Sequence, residues 1–202
     1  MKKIIVAVFA LLCLTYSNAQ QKGKFRAGLE LGLMIPSHGG FGSVMIIEPK
    51  YNLTDQMQLG LLMGMGTSIK TIVHQNQKDE ALTTVHLTFL GTYDYYCNKI
   101  SDGFVPYIGL GLGAYKMANV QLTEKQTIDD ATNTDAATQF GGMIRAGFES
   151  GKFRLGAAYH YIPSSKIQDI NGATLDNKQN SYFAITVGFY LGGGKWKKAS
   201  SD

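Results

Sequence analysis

Apolar and polar positions alternate with period two through most of the chain. Eight segments carry the pattern, about 24–35, 42–53, 57–68, 82–96, 104–117, 137–149, 152–162 and 181–191. Strict alternation places successive side chains on opposite faces of a strand. No segment of ten residues or more has convincing helical periodicity. The connections alternate in length. Thr54-Asp55-Gln56, Cys97 to Gly103 and Ser150-Gly151 are short; 69–81, 118–136 and 163–180 are longer, with a modest 36–41 after Pro36. Short and long ends in turn predict an antiparallel up-and-down meander with two unlike rims. An even strand number puts both chain ends on the short-turn side.

One face of each segment is large and apolar. The row Phe25, Ala27, Leu29, Leu31, Leu33 opposes Arg26, Gly28, Glu30, Gly32. Ile108, Leu110, Leu112 oppose Tyr107, Gly109, Gly111, Gly113, and Phe183, Ile185, Val187, Phe189 oppose Ala184, Thr186, Gly188, Tyr190. The second face mixes glycine with polar and charged groups. A water-soluble barrel packs its apolar face inward, whereas a membrane barrel turns it outward. The glycine-rich face has too little bulk for a soluble core, so the apolar face is predicted to meet lipid.

The charges on the second face balance. The acids are Glu30, Glu48, Asp94 and Glu149; the bases are Arg26, Lys50, Arg145 and Arg154. An unpaired buried charge costs several kcal/mol. Equal numbers therefore predict a closed, ion-paired barrel interior, to which His86 and His160 also belong. Aromatic residues gather at both ends of the apolar face. Phe25, Tyr51, Tyr93, Tyr95, Phe148, Phe153 and Phe189 lie toward the short turns, and Phe41, Phe140, Tyr161 and Phe183 toward the long loops. Two interfacial girdles have this arrangement.

Residues 1–19 read as an export signal: Lys2 and Lys3, an apolar run from Ile4 to Leu14, then Ser17-Asn18-Ala19 at the cleavage site. Cys13 follows Leu12, where lipidation requires a small residue. Cys97 is then the single cysteine of the remaining chain, so an internal disulfide and a multi-cysteine zinc site are excluded. The 202 residues include 24 glycines and 4 prolines with no third-residue period, which excludes collagen. The net charge of +4 is too small for a nucleic-acid footprint.

Val105-Pro106-Tyr107-Ile108-Gly109-Leu110-Gly111-Leu112-Gly113 resembles the fifth-strand signature of small outer-membrane β-barrels of the OmpA/OmpX-like type. Arg154 to Tyr161 is similar to that family's seventh strand, and Tyr182 to Leu191 to its closing strand. The resemblance spans the chain after the signal. It implies an eight-stranded antiparallel barrel in the outer membrane of a Gram-negative bacterium, with periplasmic termini. Many such barrels end on an aromatic residue; this chain continues through a basic tail, 192–202, with Lys195, Lys197 and Lys198.

Candidate chemistry is sparse. Gly109-x-Gly111-x-x-Ala114 matches a loose dinucleotide fingerprint but lacks the required turn and helix. Deacylases of this barrel type carry a serine two residues after the histidine; here that position is Ile162, with Ser164 and Ser165 beyond Pro163. Two histidines without a carboxylate cluster specify no metal. Glu124, Asp129, Asp130 and Asp135 match no calcium-loop spacing. The expectation is a signal peptide (1–19), a barrel (20–191) and a tail (192–202). The barrel would have a non-enzymatic envelope or surface-interaction role, without cofactor or metal. It would be monomeric, embedded in outer-membrane lipid, and would meet an outside partner through 69–81, 118–136 and 163–180. The alternatives are a deacylase-like lipid-modifying enzyme and a soluble, exported, lipocalin-like carrier.

Overall fold

The computed structural model describes residues 21–37, 39–74, 77–97, 104–121, 137–163, 167–168, 174–175 and 180–193, with backbone alone at 70–74, 77–82, 118–121, 137, 167–168 and 174–175. The expected signal peptide, the segment 122–136, Ser164, Ser165 and the lysines of the tail lie outside these residues.

The strands are β1 (Phe25–Pro36), β2 (Phe41–Asn52), β3 (Met57–His74), β4 (Gln77–Tyr96), β5 (Phe104–Gln121), β6 (Ala137–Ser150), β7 (Phe153–Tyr161), β8 (Ile167–Gln168), β9 (Thr174–Leu175) and β10 (Tyr182–Gly192). Eight of them close into an antiparallel barrel in the order β1-β10-β7-β6-β5-β4-β3-β2. β8 and β9 form a small separate hairpin between β7 and β10. The seam is set by Arg26↔Gly192 through Pro36↔Tyr182. Closure leaves no barrel edge unpaired along this seam, the condition for a sheet in lipid.

Local chemistry makes the short turns. Thr54 Oγ1 accepts from the N–H groups of Gln56 and Met57, at 3.1 and 2.9 Å. Gly151 opens the two-residue turn between β6 and β7 with φ +62°, a conformation that favours glycine.

The alternation becomes an inside and an outside. Leu31, Leu112 and Ile144 are 59, 60 and 66% exposed on the exterior, while Glu48 and Leu90 are fully buried within. All four inward acids and all four inward bases are buried. The interior glycines make room for them. A Cβ at Gly109 would overlap Asp94 Oδ1, and one at Gly28 would overlap the Tyr190 ring.

Two expectations need correction. Residues 69–74 and 77–81 are strand rather than loop: β3 runs to His74 and β4 starts at Gln77, pairing from Ile69↔Thr83 to His74↔Gln77, and β5 likewise runs to Gln121, so 118–121 of the expected 118–136 loop are strand. The hairpin's own backbone hydrogen bonds sustain pairing there without the alternating pattern that marks the rest of the barrel. The inward face also carries more apolar bulk than a glycine-and-ion filling supplies. Met34, Val44, Ile46, Leu62, Leu90, Met117 and Met143 form one buried cluster toward the long-connection end. Interior positions without an ionic partner must still be filled, because a dry void forfeits dispersion contacts.

Candidate functional site

The barrel interior is layered. Nearest the short turns, Asn52 Nδ2 donates to the carbonyls of Gln21 (3.0 Å) and Gly193 (3.2 Å), and Gln58 Nε2 donates to Asn52 Oδ1 (2.9 Å). This ties the two ends of the barrel chain across its mouth.

The ionic layer follows. β1 supplies Arg26, which donates to both oxygens of Glu149 from β6 at 3.0 Å. Tyr96 OH adds a 2.6 Å bond to the same carboxylate. At the centre Arg145 spans two acids. Its Nε and Nη2 donate to Asp94 at 2.8 and 2.9 Å, and its Nη1 and Nη2 donate to Glu48 at 3.0 and 2.7 Å. Lys50 Nζ lies 2.5 Å from Asp94 Oδ2 and 3.2 Å from Glu48 Oε2. Arg154 Nη2 donates to Asp94 at 3.2 Å, and its guanidinium sits 3.7 Å above the Tyr107 ring. Glu30 is held through hydroxyls: Thr186 Oγ1 and Tyr190 OH both lie at 2.7 Å. Tyr190 OH is also 2.8 Å from Glu48 and accepts from Arg154 Nη1 at 3.0 Å.

The eight charged residues singled out in the sequence therefore meet in one layer of hydrogen bonds and ion pairs, the Arg26–Glu149 pair joined to the rest by Arg154 at 3.7 Å from Glu149. His86 and His160 do not join it. They stand in a layer nearer the long connections. His86 Nε2 is 3.0 Å from Ser68 Oγ, and His160 Nδ1 is 3.0 Å from Tyr115 OH. His160 stacks on Tyr182 with ring centroids 4.3 Å apart, and His86 meets the same ring edge-on at 5.8 Å. Ser68–His86 is a serine–histidine pair between the neighbouring strands β3 and β4, unrelated to the serines beyond Pro163. No acid orients it: His86 Nδ1 is buried without a hydrogen-bond partner.

Sequence reasoning missed Tyr96, Tyr190, Thr92 and Thr186 as members of the ionic layer. All four are buried. Their signal was available: Thr92 and Tyr96 share parity with Asp94 on β4, and Thr186 and Tyr190 share parity with Gly188 on the glycine-bearing face of β10. A phenol on a glycine-rich face marks a side chain that fills space and also bonds a carboxylate.

Between the ionic and apolar layers lies a cavity of about 10 Å³, lined by Glu30, Arg145, Thr186, Ile46, Met143 and His160 among others. That is room for about one water. Among the described residues no three His, Cys, Asp or Glu side chains are grouped to hold a metal ion.

No protein-family model matches the chain, and no curated protein sequence matches it. Solved structures do. The outer membrane protein OprG from Pseudomonas aeruginosa aligns over 86% of this chain and 98% of its own, with a TM-score of 0.55 and 13% identity. Neisserial surface protein A aligns over 84% of this chain and 97% of its own, with a TM-score of 0.51 and 14% identity. At such identities the likeness concerns the fold, and it establishes that this chain is built as a small eight-stranded antiparallel up-and-down β-barrel.

Proposed function

We propose that the protein is an integral outer-membrane barrel with both termini periplasmic, exported by a signal cleaved after Ala19. In this reading it acts without enzymatic chemistry, by reinforcing the envelope or by presenting its long connections to an outside partner. The observation that carries this is the inverted amphiphilicity: an oily exterior around a buried interior that holds four acids against four bases. Leu31 is 59% exposed, whereas its neighbour Glu30 is 4% exposed. The outward row of β1 runs from Phe25 to Ile35. At ~3.3 Å per residue and a tilt near 40°, it stands roughly 25 Å tall, the height of the apolar band in such barrels. Outward rings frame the short-turn end of that band, with Phe25 against Tyr51 and Phe153 against Phe189. The names of the two similar structures, an outer membrane protein and a surface protein, agree with this location.

A lipocalin-like role requires a ligand-sized hollow; among the described residues, the cavity between the ionic and apolar layers has room for about one water. Deacylase chemistry needs a base that reaches lipid. Here the two candidates, His86 and His160, lie on the inward face of the barrel and are buried.

The test places single cysteines at Leu31 and Glu30 in a Cys97→Ser chain folded into vesicles. A probe at 31 should be quenched by acyl-chain nitroxides and a probe at 30 should not; the reverse result refutes the membrane reading. Thr88→Cys provides a second inward site if loss of Glu30 prevents folding. Deleting 122–136 should preserve the barrel while abolishing cell adherence. Unchanged adherence would leave only the envelope role.

A further inference from the structure

We infer that His86, Met34 and Met117 form a buried site for a soft monovalent cation, copper(I) or silver(I). The cluster is assembled by register. Met117 on β5 is the direct cross-strand partner of His86 on β4, and directly opposed inward side chains have Cβ atoms about 5 Å apart. On the other flank His86 faces Gly66 of β3. With no side chain there, the space is taken by Met34, which reaches over from β1; a Cβ on Gly66 would lie 2.8 Å from Met34 Cε. Register thus brings one methionine to each flank of His86, and all three residues are buried.

The imidazole is prepared as a ligand. Its Nε2 is engaged by Ser68 Oγ at 3.0 Å. When Nε2–H donates to that hydroxyl, Nδ1 keeps its lone pair. Metal-binding histidines commonly fix their tautomer by donating the other ring N–H in this way. Nδ1 is buried and has no hydrogen-bond partner among the described residues, so the barrel leaves one strong donor unused in a layer that also holds Met34 and Met117.

Charge and softness select the occupant. The four inward carboxylates are bonded within the ionic layer. Among the described residues none is left over to offset a divalent ion in an apolar layer, where uncompensated charge is costly. Thioether and imidazole donors favour copper(I) over zinc or the hard cations.

The test uses the full chain, folded in detergent, with Cys97→Ser removing the described thiol. Copper(I) is supplied under ascorbate in competition with a chromophoric chelator; silver(I) serves as a redox-inert probe. One equivalent should bind, with nitrogen and sulfur neighbours in the copper X-ray absorption spectrum, and zinc should not. Met117→Leu and Met34→Leu conserve volume and should each weaken binding at least tenfold, as should His86→Gln. Met63→Leu, on the outward face, should change nothing. Heat-modifiable gel migration verifies that each variant is folded. The inference is overturned if Cys97→Ser abolishes binding, if the His86 and methionine variants bind like the parent, or if the spectrum lacks either donor.

Discussion

Arg145 is the keystone of the ionic layer, and its removal gives a sharp energetic expectation. Arg145→Met keeps much of the side chain's length and takes away the guanidinium. Glu48 then loses both bonds from that group while keeping Lys50, Thr92 and Tyr190; Asp94 also loses two and keeps Lys50 and Arg154. The layer passes from four acids against four bases to four against three. Charge-assisted hydrogen bonds are worth ~1.5–3 kcal/mol each. Four of them do not add, because other donors remain on both acids. Removing one partner of a buried ion pair typically costs ~3–5 kcal/mol, and that is the loss expected here. It lowers the folding equilibrium constant by roughly two to four orders of magnitude. Urea titration of the barrel in lipid vesicles, read by heat-modifiable migration and by circular dichroism, measures it. Lys116→Met is the control: Lys116 is exposed on the outward face, and its loss should stay within ~0.5 kcal/mol. Adding Asp94→Asn to Arg145→Met restores the balance at three against three, so the double variant should be more stable than the single one, a direct measure of coupling. A loss below 1 kcal/mol for Arg145→Met, or a double variant weaker than the single, would refute a tightly compensated dry interior.

Other substitutions probe the remaining layers. Leu31→Arg puts a charge near the middle of the outward band and should cost ~2–4 kcal/mol in the same vesicles, but almost nothing if that surface met water. Gly109→Ala drives a methyl into Asp94 and to 3.1 Å from Arg145 Nε; a loss of ~1–3 kcal/mol is expected from overpacking. Gly91→Ala, with open space beyond a 3.9 Å contact, should be close to neutral in the same titration. Tyr190→Phe deprives Arg154 of an acceptor, and Glu30 and Glu48 of a shared hydroxyl. Its expected cost is ~1–3 kcal/mol, and a neutral result would show that water replaces the phenol.

Alternation by itself determined the strand number, the up-and-down order and the face each residue takes. Period two is a local property of an extended chain, and a barrel wall one residue thick has only two sides. The same parity put Arg26, Glu30, Glu48, Lys50, Asp94, Arg145, Glu149 and Arg154 together on one face. It could not say who pairs with whom. Arg26 meets Glu149 across 123 positions and Tyr190 meets Glu30 across 160, partnerships created by closure and by strand stagger. Nor could parity separate the ionic layer from the apolar and histidine layers above it, because height along the barrel axis depends on register. The β3–β4 hairpin was hidden for a related reason: its strands hold each other by backbone bonds, which leave no hydrophobic signature. The methionines beside His86 follow the same logic. Met34 reaches Gly66 from β1 only because that position carries no side chain, and this approach exists only once the sheet has closed.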